Sequence, residues 1–357
     1  MDKKIENAIF HIKCDYEAIL DYMMTCLNNK LDYSSYMGVM PFFCMYVHEG
    51  YKYLNKNKLI NPDCAAEQHL NKLNKYRAKG VKLYEGFTQT AFKSINNFNR
   101  NEYIKFYKKK FPESEPNLSP SVNNYFICCV DEFPIGNYHL YSKKVFNTEI
   151  GSYIPDISQR IYDLAYLLSK FSSKIVVALD PSFDMNKIGA RNIQMNFNYT
   201  ELNMAYNYSN FRIKSVPPIL MAFLDILCVL NSYRKVFVSI NEDRVFDLKV
   251  KYTILYYAIN SLISIIKHCE ENGINISMNE TLKMYILYLK SVYVEPRLRV
   301  FCMHYDFPDT TWNKDPFVEE FERFFEKPIA EISTEFSKII EDLSKKLQDY
   351  LIVKSFA

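Results

Sequence analysis

The sequence predicts a mostly α-helical protein, α+β overall, and three observations support this fold class. Apolar residues recur at helical spacing in residues 1–111 and again in residues 215–357. Glycine contributes only 8 of the 357 residues, which disfavours glycine-turned β-sandwiches and phosphate-binding loops. Residues 122–214 change to short β-type runs, which predicts a small α/β middle region with a hairpin. The chain is 48% hydrophobic and 24% charged, a balance typical of folded globular proteins.

The N-terminal region, residues 1–111, is predicted to be helical and contains a strongly basic part. Residues 36–54 are dense in Tyr, Phe and Met, which indicates a buried helix or an aromatic interface. Residues 72–110 carry eleven Lys and Arg against two acidic residues, a net charge of +9, with aromatic residues between them. Cations that neutralise phosphates, beside rings on which bases stack, are typical of a nucleic-acid surface. The alternative is a solvated helical face whose aromatic side chains point into the core.

The residues predicted to bind nucleic acid are ten cations of this basic segment. They are Lys72, Lys75, Arg77, Lys79, Lys82, Arg100, Lys105, Lys108, Lys109 and Lys110.

The middle region follows a linker at residues 112–121, which holds three prolines with Ser and Asn between them. Residues 125–130 and 138–146 are predicted strands, joined by a turn at residues 134–137. The β-branched run at residues 175–179 fits either a strand or part of a helix.

The C-terminal region, residues 215–357, is predicted to be a four-helix bundle because four amphipathic segments follow one another with short connections. The first segment follows Pro217, and the second ends before Gly273, a typical residue after a helix. Residues 277–280 form a capping box, Ser-Met-Asn-Glu, which starts the third segment. The fourth begins at Pro316, a favoured first helical residue, and Pro328 kinks or breaks it.

The candidate catalytic residues lie after the third segment, in residues 294–306, which hold two arginines and a histidine. An always-charged guanidinium binds phosphate, and an imidazole that titrates near neutrality moves protons. On a regular helix, Arg297 and His304 are seven steps apart and lie within about 20° of each other. Arg299 lies about 140° from His304 unless the helix unwinds, which Pro296 makes plausible because it lacks one backbone donor.

This bundle with Arg and His at the end of its third helix resembles the HEPN superfamily, whose small helical domains occur in prokaryotic toxins, anti-phage systems and CRISPR-associated ribonucleases. Four residues separate Arg299 from His304 and six separate Arg297 from it, and either spacing fits the superfamily motif. The polar residue that the superfamily has after Arg is replaced here by Leu298 or Val300. The resemblance covers the C-terminal region only.

The resemblance implies metal-independent RNA cleavage by Arg297 or Arg299 with His304, at a site shared by two protomers of a homodimer. It implies no cofactor and no metal. The alternative is a non-catalytic helical protein, an antitoxin or assembly subunit, that binds nucleic acid or a protein partner.

Other features of the sequence concern partners and location. Residues 315–350 carry ten acidic and five basic residues, a net charge of −5, so this acidic C-terminal helix is a candidate surface for a protein partner. The nine cysteines are scattered and form no CxxC pair, which indicates reduced thiols and a cytoplasmic protein. No segment is predicted to span a membrane. His11 and Cys14, one helical turn apart, are read as packed residues rather than half of a metal site.

Overall fold

A computed structural model describes residues 2–60, 71, 124–137, 154–203, 217–241, 243–305, 307 and 315–352. These parts of the chain are mostly helical with one small sheet, which confirms the predicted mostly α, α+β class. The basic segment and the predicted linker at residues 112–121 lie outside the described residues, so the proposed nucleic-acid surface stays a prediction.

Three helices form the described part of the N-terminal region: α1 (Lys3–Asn28), α2 (Ser34–Met37) and α3 (Met40–Lys56). The side chain of Asp2 caps α1 by accepting a hydrogen bond from the backbone N–H of Lys4. Every residue from Met40 to Tyr51 is buried, polar ones included. The prediction of a buried helix in residues 36–54 is therefore confirmed.

The sheet has three antiparallel strands in the order β2-β1-β3: β1 (Asn124–Val130), β2 (Phe133–Asn137) and β3 (Phe197–Asn203). A hairpin is present, but its predicted turn was wrong. Residues 134–137 belong to β2, and the turn falls at residues 131–132, where Asp131 adopts a left-handed φ of 54°. Pro134 is tolerated because β2 is an edge strand, where a missing backbone N–H costs no ladder bond. The second predicted strand, residues 138–146, lies outside the described residues and stays a prediction.

Helix α4 (Ile154–Leu179) follows the hairpin in the chain and packs against α1. It includes residues 175–179, so this β-branched run forms the end of a helix. The segment after α4 crosses α1, where Gly189 lies against the backbone of Met24 with a φ of 65°. Arg191 and Asp21 form an ion pair that holds this crossing.

The C-terminal region begins with α5 (Pro217–Ser232), which continues through a π-helical turn (Tyr233–Phe237) and a last turn (Val238–Ile240). Five further helices follow: α6 (Arg244–Glu271), α7 (Glu280–Tyr293), α8 (Pro296–His304), α9 (Pro316–Phe325) and α10 (Ile329–Leu351). Helix α6 is central, because it packs against α5, α7, α8 and α10. This arrangement is the predicted helical bundle, with α8 as an additional short helix.

Most of the residues that begin or end the helices of the bundle were predicted correctly. Gly273 follows α6 with a φ of 62°, and Pro316 is the first residue of α9. Pro328 separates α9 from α10. The predicted capping box at residues 277–280 was wrong, because Asn279 caps α7 by accepting from the N–H of Leu282. Ser277 instead adopts a left-handed φ of 49°, which excludes it from the extended conformation of an N-cap.

The Arg and His segment forms a helix of its own instead of extending the preceding one. Helix α7 ends at Tyr293, and Glu295 caps α8 by accepting from the N–H of Arg297. Pro296 begins α8 because its missing N–H removes a donor that has no partner in the first turn. The helix stays regular to His304 and ends at Tyr305, which has a left-handed φ of 54°.

One hydrophobic cluster extends through the described residues, from Ala8 in α1 to Ile352 after α10. The N-terminal helices contribute to it beside the C-terminal bundle, since α1 and α3 pack against α6 and α8 respectively. The predicted domain boundaries at residues 111, 121 and 214 stay predictions. Within the described ranges, every helix is too short or too polar to cross a lipid bilayer.

Candidate functional site

Helix α8 presents the three predicted catalytic side chains to three different neighbours. Arg297 contacts Glu320 of α9, Arg299 contacts Tyr257 of α6, and His304 contacts Glu49 of α3. Because α8 is a regular helix through His304, Arg297 and His304 share one of its faces. All three side chains lie on this helix, but neither guanidinium contacts the imidazole of His304.

His304 has the geometry of an acid–base group. Its Nδ1 lies 2.9 Å from Oε2 of Glu49, whose side chain is only 4% exposed, while the His304 side chain is 34% exposed. With the Glu49 carboxylate ionised, Nδ1 is the donor, because a carboxylate can only accept a hydrogen bond. This hydrogen bond fixes the tautomer of the neutral ring and leaves Nε2 as the nitrogen that can take up a proton.

Glu49 also contacts a second histidine. Its Oε1 lies 3.1 Å from Nδ1 of the neighbouring residue, His48. A carboxylate buried this deeply is costly without partners, and the two imidazoles supply one donor to each of its oxygens. Both contacts keep the Glu49 carboxylate directed at His304.

Arg299 is positioned by two tyrosines of α6. Its Nε and Nη2 lie 3.1 and 2.8 Å from the hydroxyl oxygen of Tyr257. The guanidinium carbon lies 5.7 Å from the ring centre of Tyr256 and 5.5 Å from that of Tyr257. These distances are those of cation–π contacts, so Arg299 is fixed against α6 by both hydrogen bonds and ring faces.

Arg297 lies at the other end of α8. One of its terminal nitrogens is 3.1 Å from Oε1 of Glu320, and its side chain is 67% exposed. Glu320 is buried and also forms an ion pair with Arg323, so two arginines offset the cost of placing this carboxylate in the core.

A buried polar cluster lies directly beside the His304 contact. The hydroxyl of Tyr305 donates to Oδ2 of Asp15 at 2.8 Å, and Lys249 donates to both oxygens of Asp15 at 2.8 and 2.9 Å. His11 lies 3.4 Å from Lys249 through Nδ1 and 3.3 Å from Asp315 through Nε2. We call these five residues the Asp15 cluster; it joins α1, α6 and the two ends of the segment between α8 and α9.

The acidic groups of this cluster have shifted pKa values. Burial raises the pKa of Asp15 above the usual range, although Lys249 and His11 act to lower it. Burial, followed by the nearby charge of Asp15, raises the pKa of Tyr305 far above its usual range. Burial also acts to raise the pKa of Asp315, but His11, the backbone N–H of Val318 and Lys249 together outweigh it, and the pKa is lowered. Burial thus disfavours the charged form of Asp15, which Lys249 favours, whereas the surroundings of Asp315 favour its anion.

Metal chemistry has no candidate site in the parts of the chain that the structure describes, since they contain no group of three His, Cys, Asp or Glu side chains placed to hold an ion. His11 is buried in the Asp15 cluster, and Cys14 is half-buried with a pKa raised to about 12, chiefly by burial.

The sequence analysis missed Glu49 as a partner of His304. The available signal was a carboxylate inside the otherwise apolar run of α3, because a buried acid requires a partner from elsewhere in the chain. Glu320 is also buried, on α9, but it lies among Glu319, Glu322 and Arg323, so the sequence does not distinguish it in this way.

Comparison with known proteins adds no relative. No family model matches the chain, and neither a curated protein nor a solved structure has significant similarity to it. The resemblance to the HEPN superfamily therefore stays a hypothesis that rests on Arg297, Arg299 and His304.

Proposed function

We propose that the protein is a metal-independent endoribonuclease, HEPN-like in its C-terminal region, that acts as the effector of a prokaryotic defence or toxin system. The observation that carries this proposal is the half-buried His304, whose Nδ1 is bound to the buried carboxylate of Glu49. A histidine oriented in this way by a carboxylate is equipped for general acid–base catalysis.

In the proposed reaction, the ribose 2′-hydroxyl attacks the adjacent phosphorus and its O–P bond forms as the bond from phosphorus to the 5′-oxygen breaks. Nε2 of His304 removes the proton of the 2′-hydroxyl, and the imidazolium that forms gives a proton to the departing 5′-oxygen. The products are a cyclic phosphate and a 5′-hydroxyl. Glu49 stabilises the imidazolium that forms, since its negative charge lies at Nδ1.

The phosphate charge in the transition state requires a cation, and Arg297 is the better candidate because it shares the face of His304. Seven residues span roughly 10 Å along a helix, so Arg297 of the same chain lies about two turns from His304. We therefore propose that two protomers meet near His304 and complete each other's sites.

A homodimer is the expected result of this arrangement. Sedimentation at micromolar concentration should give the mass of two chains. A strictly monomeric protein that still cleaves RNA would contradict the shared site.

RNA would be held by the basic segment, and the acidic residues 315–350 offer a surface for a protein partner that controls activity. These two roles extend the proposal to residues whose charge alone supports them.

The decisive experiment measures RNA cleavage in EDTA by the unmodified protein and by His304→Ala. We expect the unmodified protein to stay active, since no step uses a metal, and the variant to lose about 10²- to 10⁴-fold in rate. Thermal stability should change little, because Glu49 keeps His48 as a partner. Arg297→Ala should lower the rate more than Arg299→Ala.

His268→Ala is the matched control. His268 also lies in the last turn of a helix, α6, where it contacts Asn272. It should retain full activity. Equal cleavage by all variants, or no cleavage by any preparation, would remove the ribonuclease assignment and favour the alternative of a non-catalytic binding protein.

A further inference from the structure

Helix α7 has an exposed face that is largely apolar and carries no charge. After the first residue, Glu280, six residues of the helix are exposed and none of them is charged. Four are large and apolar, with exposed fractions from 39% for Val292 to 61% for Met284. At about 100° per residue, the six residues lie within an arc of about 140° and form one continuous face. We call this set the α7 face: Thr281, Met284, Leu287, Tyr288, Ser291 and Val292.

The two lysines of α7 are directed toward α6 instead. Nζ of Lys283 lies 2.6 Å from Oε1 of Glu270, and Nζ of Lys290 lies 2.5 Å from Oδ1 of Asn260. By contrast, α10 exposes acidic and basic residues along its length, as a helix that faces water normally does. The α7 face therefore has the composition of a contact surface and not that of a solvated one.

Aromatic rings extend the α7 face onto the end of α9. The ring of Tyr288 lies 6.3 Å from that of Tyr293, which stacks on Phe325 at 6.1 Å. Phe325 in turn contacts the ring of Phe324 at 4.9 Å, and Phe324 is one of the exposed large apolar residues. Contiguous apolar patches mark contact sites, and the cores of protein interfaces are rich in Met and aromatic residues and poor in charge.

The spacing of the α7 face matches a second copy of itself. We propose that two copies of this chain associate through this face, with α7 packed antiparallel on α7. Thr281, Met284, Tyr288 and Ser291 are separated by three, four and three positions, the same order in both directions. A two-fold axis at the level of Ile286 places Met284 of one copy opposite Tyr288 of the other, and Thr281 opposite Ser291. Apolar residues then meet apolar residues, and hydroxyls meet hydroxyls.

A second copy fits this face better than other occupants. Nucleic acid requires cations, and the α7 face contains none. A strongly charged protein partner would bury its charges without counterparts. A second copy supplies a surface of equal length that is also uncharged. Helix α7 is about 21 Å long and about 10 Å wide, so the patch is smaller than the roughly 800 Å² that each partner buries in a standard interface. We therefore expect association in the micromolar range.

This inference deepens the proposed function, because it names the surface through which the proposed homodimer forms. It rests on that dimer and does not depend on RNA cleavage. Only Val294 and Glu295 separate α7 from α8, the helix that carries His304. The proposed contact surface is thus next in the chain to the candidate catalytic residues.

The test measures the dissociation constant of the dimer by sedimentation of the full chain over a series of concentrations. We expect the unmodified protein to be a dimer that dissociates on dilution. Tyr288→Arg should raise the dissociation constant about 10²-fold or more, because a two-fold contact brings both arginines together. Tyr166→Arg is the matched control, since it places the same charge at an exposed tyrosine of another helix, α4. It should leave the dissociation constant unchanged.

A mixing experiment tests the two-fold pairing itself. Tyr288→Glu alone should also be monomeric, whereas an equimolar mixture with Tyr288→Arg should associate, because opposite charges then face each other. Met284→Arg repeats the test at the most exposed residue of the face, in case Tyr288→Arg lowers the melting temperature. A monomeric unmodified chain, variants that stay dimeric, an equal effect of Tyr166→Arg, or a mixture that stays monomeric would each overturn the proposal.

Failure of this surface and failure of the ribonuclease proposal give different results. A Tyr288→Arg protein that stays dimeric and cleaves RNA overturns the surface and leaves the ribonuclease standing. A monomeric Tyr288→Arg protein that still cleaves RNA supports the surface and removes the shared site. A dimer that depends on Tyr288, without RNA cleavage by any preparation, supports the surface and removes the nuclease.

Discussion

His304 and Tyr305 are consecutive residues at the end of α8, and each binds a carboxylate of an N-terminal helix. His304 contacts Glu49 of α3, and Tyr305 contacts Asp15 of α1. The two contacts differ in their access to solvent: the His304 side chain is 34% exposed, whereas Tyr305 is 1% exposed. Adjacent residues therefore end in two different environments.

This difference in exposure gives the two residues different roles: His304 is suited to proton transfer, and Tyr305 to stabilising the fold. A histidine that reaches solvent can exchange protons, and after its loss the buried Glu49 keeps its contact with His48. The Asp15 cluster is closed, and the burial that raises the pKa of Asp15 shows how much its charge depends on Lys249 and Tyr305. We infer that the cluster fixes the end of α8, so that His304 is presented to Glu49 in one orientation.

Removal of Lys249 should have the largest effect on stability. Lys249→Met keeps a similar volume but leaves Asp15 without its main cation, and breaking a buried ion pair in this way costs about 3–5 kcal/mol. Urea denaturation should show the loss as a lower midpoint with an unchanged m-value.

Lys267→Met is the control for this variant. Lys267 and Glu271 form an exposed ion pair on the same helix, and such pairs contribute roughly 0–1 kcal/mol. A Lys249→Met protein as stable as this control would mean that the Asp15 cluster does not hold α8.

The elements of the bundle could be predicted because their signals are local. Apolar spacing, Gly273, Pro316 and Pro328 act within a few residues of the helix ends that they define. The hairpin turn was misplaced because Pro134 and Gly136 are turn formers by composition, yet an edge strand accepts both. Local preference was overridden there by strand pairing.

The site could be predicted only in part for a physical reason. Arg297, Arg299 and His304 lie close together in the chain, but their partners do not. Glu49 precedes His304 by 255 residues, and no local pattern links the two. Tertiary packing selects such contacts, so the sequence indicates that a buried acid needs a partner without indicating which one.

The comparison of His304 with Tyr305 predicts a smaller effect for Tyr305→Phe. The substitution removes one hydroxyl that donates to Asp15 and keeps the ring, and hydrogen bonds to charged groups contribute about 1.5–3 kcal/mol. We expect a loss near the lower end, because Asp15 retains both bonds from Lys249. RNA cleavage should persist at temperatures where the variant is folded, since Tyr305 is buried.

His304→Ala should show the reverse pattern, with little change in the denaturation midpoint and loss of cleavage. If Tyr305→Phe abolished cleavage at unchanged stability, Tyr305 would act in the reaction itself, and the division of the two residues into chemistry and stability would be wrong.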